Sequence, residues 1–156
     1  MLSPYRVLDL TDEKGQLAGA MLADAGAEVI LIEPPEGSAS RTLGPWVKGR
    51  EGDPEASLRF WAYNRGKKSV TLDLATDAGR QELLGLASGA DLLIESDAPG
   101  ELASRGLGLD DLHAVNPALV VTSISAFGQD GPKSGWAATD LTVGAASMVN
   151  TLVGDS

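Results

Sequence analysis

The chain has 156 residues, 43% of them hydrophobic, and a formal net charge of −10, with a mean hydropathy of −0.01. That describes one globular domain able to bury most of the surface of its unfolded chain. The negative balance argues against broad binding to nucleic acid or anionic membrane, where surplus Lys and Arg supply the attraction. The absence of Cys excludes disulfides and thiolate chemistry, and no apolar run approaches the roughly 18 residues of a membrane span.

Met1 to Arg6 is too short and polar for a signal peptide, so a cytoplasmic location is expected. Val7 to Glu33 (VLDLTDEKGQLAGAMLADAGAEVILIE) then reads as a buried strand, a turn, an amphipathic helix and a second strand ending in an acid. Leu17, Ala20, Met21 and Asp24 have helical spacing on a helix with an Ala- and Gly-rich face, and the flanking apolar runs make this a βαβ unit on a parallel sheet. Such sheets take ligands outside the carboxyl ends of their strands, which directs attention to Thr11–Gln16 and to the chain after Glu33.

Residues 34–53 form a long irregular stretch rich in Pro, Gly and charge, a length usually functional or covered by a partner. Residues 57–64 suit one or two helical turns, and Ser69 to Leu74 (SVTLDL) alternates as a third strand. Thr76 is a helix N-cap, with Asp77 in the first turn and a stop near Gly89. Asp91 to Glu95 is a fourth strand, followed by short helices near residues 101–105 and 110–115. Leu119 to Ser125 is a fifth strand and 140–149 a helical tail. The whole is an α/β, doubly wound, Rossmann-like domain with a mainly parallel sheet.

The first turn, Thr11-Asp12-Glu13-Lys14-Gly15-Gln16, has one glycine and two acids. A dinucleotide fingerprint needs three glycines, and acids there repel a phosphate from the helix N-terminus. The opening also resembles the first motif of S-adenosylmethionine-dependent methyltransferases, which carries at least two glycines in this turn. His113, the single histidine, reads as a surface residue on a short helix beside Asp110 and Asp111, so a histidine-based triad is not expected unless another residue or chain supplies the partner, and no spacing suits zinc or calcium. Arg59, Arg65, Lys67 and Lys68 crowd ten residues, with Arg41, Lys48 and Arg50 upstream, and form a candidate basic patch for an anionic ligand. Asp140 follows a loop after the last strand, either capping the next helix with Thr139 or standing at the sheet's carboxyl edge.

Taken in order, RVLDLT (6–11), LADAGAEVILIEPPEG (22–37), YNRGKKSVTLDL (63–74), ADLLIES (90–96), the run at 99–132 and TDLTVGAASMV (139–149) resemble the N-terminal part of the family III CoA transferases, the carnitine and bile-acid CoA-transferase group. The resemblance implies an enzyme that moves CoA between carboxylic acids. An aspartate attacks the acyl-CoA carbonyl to give a mixed anhydride and then an aspartyl-CoA thioester. It implies a large Rossmann-like domain with a smaller second domain, the latter absent from residues 1–156, and two subunits interlocked as a homodimer. CoA and its thioesters are then substrates, beside a carboxylate, with no metal.

By the same resemblance the nucleophile falls beyond residue 156, Asp155 belongs to the loop before it, and Asp140 is a candidate for a supporting role. Leu72, Asp73 and Leu74 at the third strand's end, and Ser96 and Asp97 after the fourth, are the positions carried over for CoA contact. Arg41, Arg65, Lys67 and Lys68 are the candidates for neutralising its phosphates. Several positions depart from the family pattern. Pro34 stands where an arginine is frequent, Ser96-Asp97-Ala98-Pro99-Gly100 replaces Asn-Phe-Arg-Pro-Gly, and Thr139 replaces the histidine of the racemase branch. Racemisation needs a proton donor and acceptor on opposite faces, so the last departure counts against it. A non-catalytic CoA-binding or interaction subunit is the alternative reading, ahead of a methyltransferase-like domain.

Overall fold

The computed structural model describes residues 1–148. Five strands, β1 (Arg6–Leu10), β2 (Glu28–Glu33), β3 (Lys68–Thr71), β4 (Leu92–Glu95) and β5 (Val120–Ser123), form one sheet in the order β3-β2-β1-β4-β5. Every pairing is parallel, with Leu8 opposite Ile30 on one side and Leu93 on the other. The helices are α1 (Gln16–Asp24), α2 (Leu58–Asn64), α3 (Asp77–Ala87), α4 (Glu101–Ser104), α5 (Leu109–Val115) and α6 (Asp140–Ala146). The α/β, doubly wound fold expected from the sequence is the fold found.

Strand alternation sends the sheet's side chains into two cores. Leu8, Ile30, Ile32 and Leu93 pack with Leu72, Leu83, Leu102 and Leu112 beneath α3, α4 and α5. Val7, Val29 and Ile94 pack with Ala18, Leu22 and Ala23 beneath α1. Parallel strands covered on both faces read as unbroken apolar runs, which is why VLDL and VILI carried no period of two.

The buried stripe of α1 differs from the one its apolar spacing suggests. Gln16, Gly19 and Ala20 are buried, whereas Leu17 and Met21 are 53% and 63% exposed. The cause is the side chain beneath the helix. A Cβ on Gly19 would stand 2.0 Å from Asp9 Oδ2, so only the small-residue face fits over β1.

The long segment after β2 is ordered by polar bonds rather than by regular structure. Short 3-10 turns occupy Ala39–Thr42 and Pro54–Ala56. The Ser57 hydroxyl lies 2.6 Å from the Leu43 carbonyl, to which it donates, and accepts from the Phe60 N–H at 3.1 Å, starting α2. The third strand is shorter than its alternation suggests. The ladder continues only to Leu72 N–H, which donates to Glu33 O at 2.9 Å, and Asp73–Ala75 turn away. The tail helix ends at Ala146, and Val149, like Asp155, lies outside the described residues.

Candidate functional site

In the order β3-β2-β1-β4-β5 the direction of winding reverses beside β1, and crevices open at the carboxyl ends of strands at such a reversal. A cleft of about 680 Å³ lies there, floored by Leu10, Ile32 and Pro34. Leu72, Asp73, Leu74 and Ala75 wall it on one side, and Asp97, Ser104 and Arg105 on the other, with Arg80 and Glu36 at its margins.

The first wall is held from behind by α3. The Thr76 hydroxyl accepts from Gly79 N–H at 3.1 Å and caps the helix. Asp73 folds its own turn by accepting from Ala75 N–H at 3.0 Å. The Arg80 guanidinium donates to the carbonyls of Leu74 and Ala75 at 3.1 and 2.9 Å. Gly79 has no substitute here, because a Cβ would lie 2.1 Å from Asp73 O.

The opposite wall hangs on β4 and the first turn. Ser96 Oγ accepts from Asp12 N–H at 2.8 Å and donates to Asp12 Oδ1 at 2.9 Å, tying the turn after β1 to the end of β4. The next N–H, that of Asp97, donates to buried Glu95 Oε2 at 2.6 Å. Gly100, at φ +78°, then turns the chain into α4.

Carboxylates outnumber cations in the cleft: Glu36, Asp73 and Asp97 against Arg80 and Arg105. Burial pushes the Asp97 carboxyl up; Arg105 works against this, while Glu101, Glu95 and Asp12 add to it. Burial also raises Asp12, but bonds from Lys14 and Ser96 outweigh it and leave that carboxyl below its ordinary range.

The expected contact residues divide. Leu72, Asp73, Leu74 and Asp97 all line the cleft, and Ser96 stands directly behind Asp97 as the link to Asp12. The four basic residues expected to meet the phosphates are dispersed, and none of them lines the cleft. Arg41 forms a two-bond fork with Glu33, at 2.6 and 2.8 Å, reaches Glu55 and stacks 3.8 Å over the Phe60 ring. Arg65 pairs with Asp24 at 2.6 Å on the outside of α1. Lys68 pairs with Glu28 at the amino end of the sheet. Lys67 is sealed inside, bonded to Asp9, the Gln16 carbonyl and Asn64. Nearness along the chain makes no patch here: Lys67 turns inward to Asp9 while Lys68 turns outward to Glu28, and Arg41 and Arg65 pair elsewhere.

Asp140 is the exposed first residue of α6, behind a Thr139 cap that accepts from Thr142 N–H, and it does not line the cleft. The cleft cations Arg80 and Arg105 escaped the sequence reading. Their only signal was position, one in the first turn of a capped helix and the other four residues after Glu101. Among the described residues no group of three or more His, Cys, Asp or Glu is placed to hold a metal ion, and no helix is long and apolar enough to cross a membrane.

Fold and cleft together define a parallel α/β domain of the doubly wound, ligand-binding kind. The chain belongs to CoA-transferase family III, whose model matches residues 2–156. It is 42% identical over 152 residues to the succinyl-CoA:(R)-benzylsuccinate CoA-transferase subunit BbsE of Thauera aromatica, covering 97% of this chain and 37% of that protein. It is 38% identical over 157 residues to the succinate–glutarate CoA-transferase of Agrobacterium fabrum, covering 99% and 39%. Among solved structures, Rv3272 from Mycobacterium tuberculosis superposes with a TM-score of 0.83 at 42% identity, over 96% of this chain and 41% of that one. A CaiB/BaiF family protein from Brucella suis gives 0.83 at 37% identity, over 93% and 38%. The chain therefore spans about two fifths of the length of these relatives and corresponds to an N-terminal portion of the family.

Proposed function

We propose that this chain supplies the nucleotide-side half of an acyl-CoA:carboxylate CoA transferase, with the CoA nucleotide lying in the cleft at the carboxyl edge. The observation that carries this reading is the cleft itself: Leu72–Ala75 and Asp97–Arg105, from two different crossovers, converge on one cavity at the reversal of the sheet. Leu72 and Leu74 offer an apolar wall to the adenine, and Asp73 and Asp97 accept from hydroxyl or amide groups. Arg80 and Arg105, rather than Arg41, Arg65, Lys67 or Lys68, face the phosphates. The last four pair with carboxylates away from the cavity, whereas Arg80 and Arg105, though paired with Asp77, Asp97 and Glu101, line it.

In this reading the attacking aspartate comes from beyond residue 156, from a polypeptide with a second, smaller domain. That carboxylate displaces the CoA thiolate from the acyl carbonyl, and the returning thiolate releases the first carboxylic acid and leaves an aspartyl thioester. Asp140 has a supporting part at most. A homodimer in the cytoplasm, working on CoA thioesters and carboxylates without a metal, completes the proposal.

The test is a calorimetric titration of CoA into the protein isolated from its source, beside its Leu74→Asp variant. Saturable binding that weakens at least tenfold in the variant is the expected result. Equal binding by both overturns the placement, and no binding overturns the reading. An intact mass near 16.1 kDa for the isolated protein would favour the non-catalytic subunit instead.

A further inference from the structure

Arg105 is shared between two carboxylates in the wall of the cleft. Its Nη1 lies 3.2 Å from Asp97 Oδ2, and its Nη2 donates to Glu101 Oε1. The Asp97 and Arg105 side chains are 27% and 34% exposed and both line the cavity, so an anion that enters it can reach this pair.

Every other charged group that faces Asp97 is accounted for. From β4 comes Glu95, 3% exposed, whose Oε2 accepts the Asp97 N–H. From the first turn comes Asp12, with Lys14 bonded to it at 2.8 Å. Glu101 lies on α4, while Glu36, Asp73 and Arg80 line the same cavity. Arg80 is bound to Asp77 and to two carbonyls. Among the described residues, then, Arg105 is the one cation paired directly with Asp97, in a ring of three further acids.

We propose that a phosphate ligand draws Arg105 off Asp97, and that Asp97 then takes one proton from solvent, so that binding in this cleft is coupled to proton uptake. The proposal rests on the reading above that CoA occupies the cleft. A guanidinium holds a phosphate best through two parallel N–H bonds, and both Nη nitrogens of Arg105 are engaged by Asp97 and Glu101, so turning to a phosphate competes with those bonds. Once it turns, Asp97 is a half-buried carboxylate facing Glu95, Glu101, Asp12 and the ligand's own negative charge. All of these favour its neutral form. The free carboxyl already lies above its ordinary range through burial, with Arg105 opposing.

The sign follows from linkage. A site that gains protons on binding loses affinity as pH rises through the titration of the group, by at most about tenfold per pH unit for one proton. Neutral Asp97 no longer repels the ligand's phosphates and keeps its carbonyl oxygen as an acceptor for a hydroxyl or amide group.

The experiment is calorimetry of CoA binding to the native protein at about pH 5.5, above the ordinary carboxylate range. Two buffers of different ionisation heat give the protons taken up per CoA. The Asp97→Asn variant is measured identically, so that the proton taken up by CoA's own phosphate cancels in the difference. The expected result is a surplus of a sizeable fraction of one proton in the native protein, with tighter and less pH-dependent binding by Asp97→Asn. Equal proton numbers overturn the proposal while leaving CoA in the cleft. No heat of binding in either protein overturns the underlying reading as well. Arg105→Gln provides the independent check: it too should remove the surplus, and retention of the full surplus in that variant would equally sink the coupling.

Discussion

Lys67 Nζ lies 2.7 Å from Asp9 Oδ2, and the two side chains are 1% and 0% exposed. This pair joins the middle strand of the sheet to the residue just before β3, and Asn64 Oδ1 and the Gln16 carbonyl complete the ammonium's partners. Asn64 in turn donates to Gln16 Oε1 at 3.0 Å, and Gln16 donates to Ser38 Oγ at 3.0 Å, so β1, α1, α2 and the long loop share one buried polar network. A network in which every member has a partner fixes a single arrangement.

Removing one member leaves a buried charge without its counterion. Lys67→Met should therefore lower stability by about 3–5 kcal/mol, read as a shift in the chemical denaturation midpoint. Adding Asp9→Leu to it should recover part of the loss. If Lys67→Met unfolds at the native midpoint, the pair contributes nothing to stability.

Two glycines inside helices should respond oppositely to alanine. Gly19→Ala drives a Cβ to 2.0 Å from Asp9 Oδ2 and 3.0 Å from Lys67 Nζ, so it should destabilise the fold by several kcal/mol and disturb the network. Gly85, inside α3, has nothing within 4 Å of its Cβ position. Gly85→Ala should raise stability by about 0.5–1 kcal/mol. Thermal melts of the two variants check both signs at once.

Glu33 gives a pH dependence with a definite direction. Burial pushes its carboxyl up, but the Arg41 fork, the Ser69 hydroxyl at 2.5 Å and the Ser38 N–H at 2.9 Å prevail and hold it down at about 2. A carboxyl depressed in the fold stabilises it above its ordinary value of 4.5, and that contribution disappears as pH falls from there toward about 2. Glu33→Gln should flatten the acid limb of the stability profile in this window. An unchanged limb would show that the Arg41–Glu33 fork is not coupled to folding.

The cleft arginines should act on affinity in a salt-dependent way. Arg80→Ala is expected to weaken CoA binding by about tenfold to a hundredfold, the range of one charge-assisted hydrogen bond. The deficit should shrink as ionic strength rises. Lys68→Ala, at the far end of the sheet beside Glu28, should leave CoA affinity unchanged. The reverse ranking would return the phosphate role to the basic cluster near β3.

The sequence by itself determined the βαβ opening, the α/β class and the cap at Thr76, because buried parallel strands and capped helices are set by local apolar runs and by side-chain oxygens within reach of the backbone. The ordered motifs also carried the family, and through that resemblance the positions Leu72–Leu74 and Asp97, which line the cleft. Tertiary structure alone decided which cations reach the cleft. Arg65, Lys67 and Lys68 are neighbours along the chain, with Arg41 upstream, yet Asp24, Asp9, Glu28 and Glu33 claim them one by one away from the cavity. Arg80 and Arg105, 25 residues apart in sequence, instead meet the same cavity because α3 and α4 lie on the same face of the sheet. The buried face of α1 was settled the same way, by Asp9 beneath Gly19 rather than by the hydrophobicity of Leu17 and Met21. Pairing and close approach between segments distant in sequence leave no period in the chain, and so they become visible only once the sheet has brought those segments together.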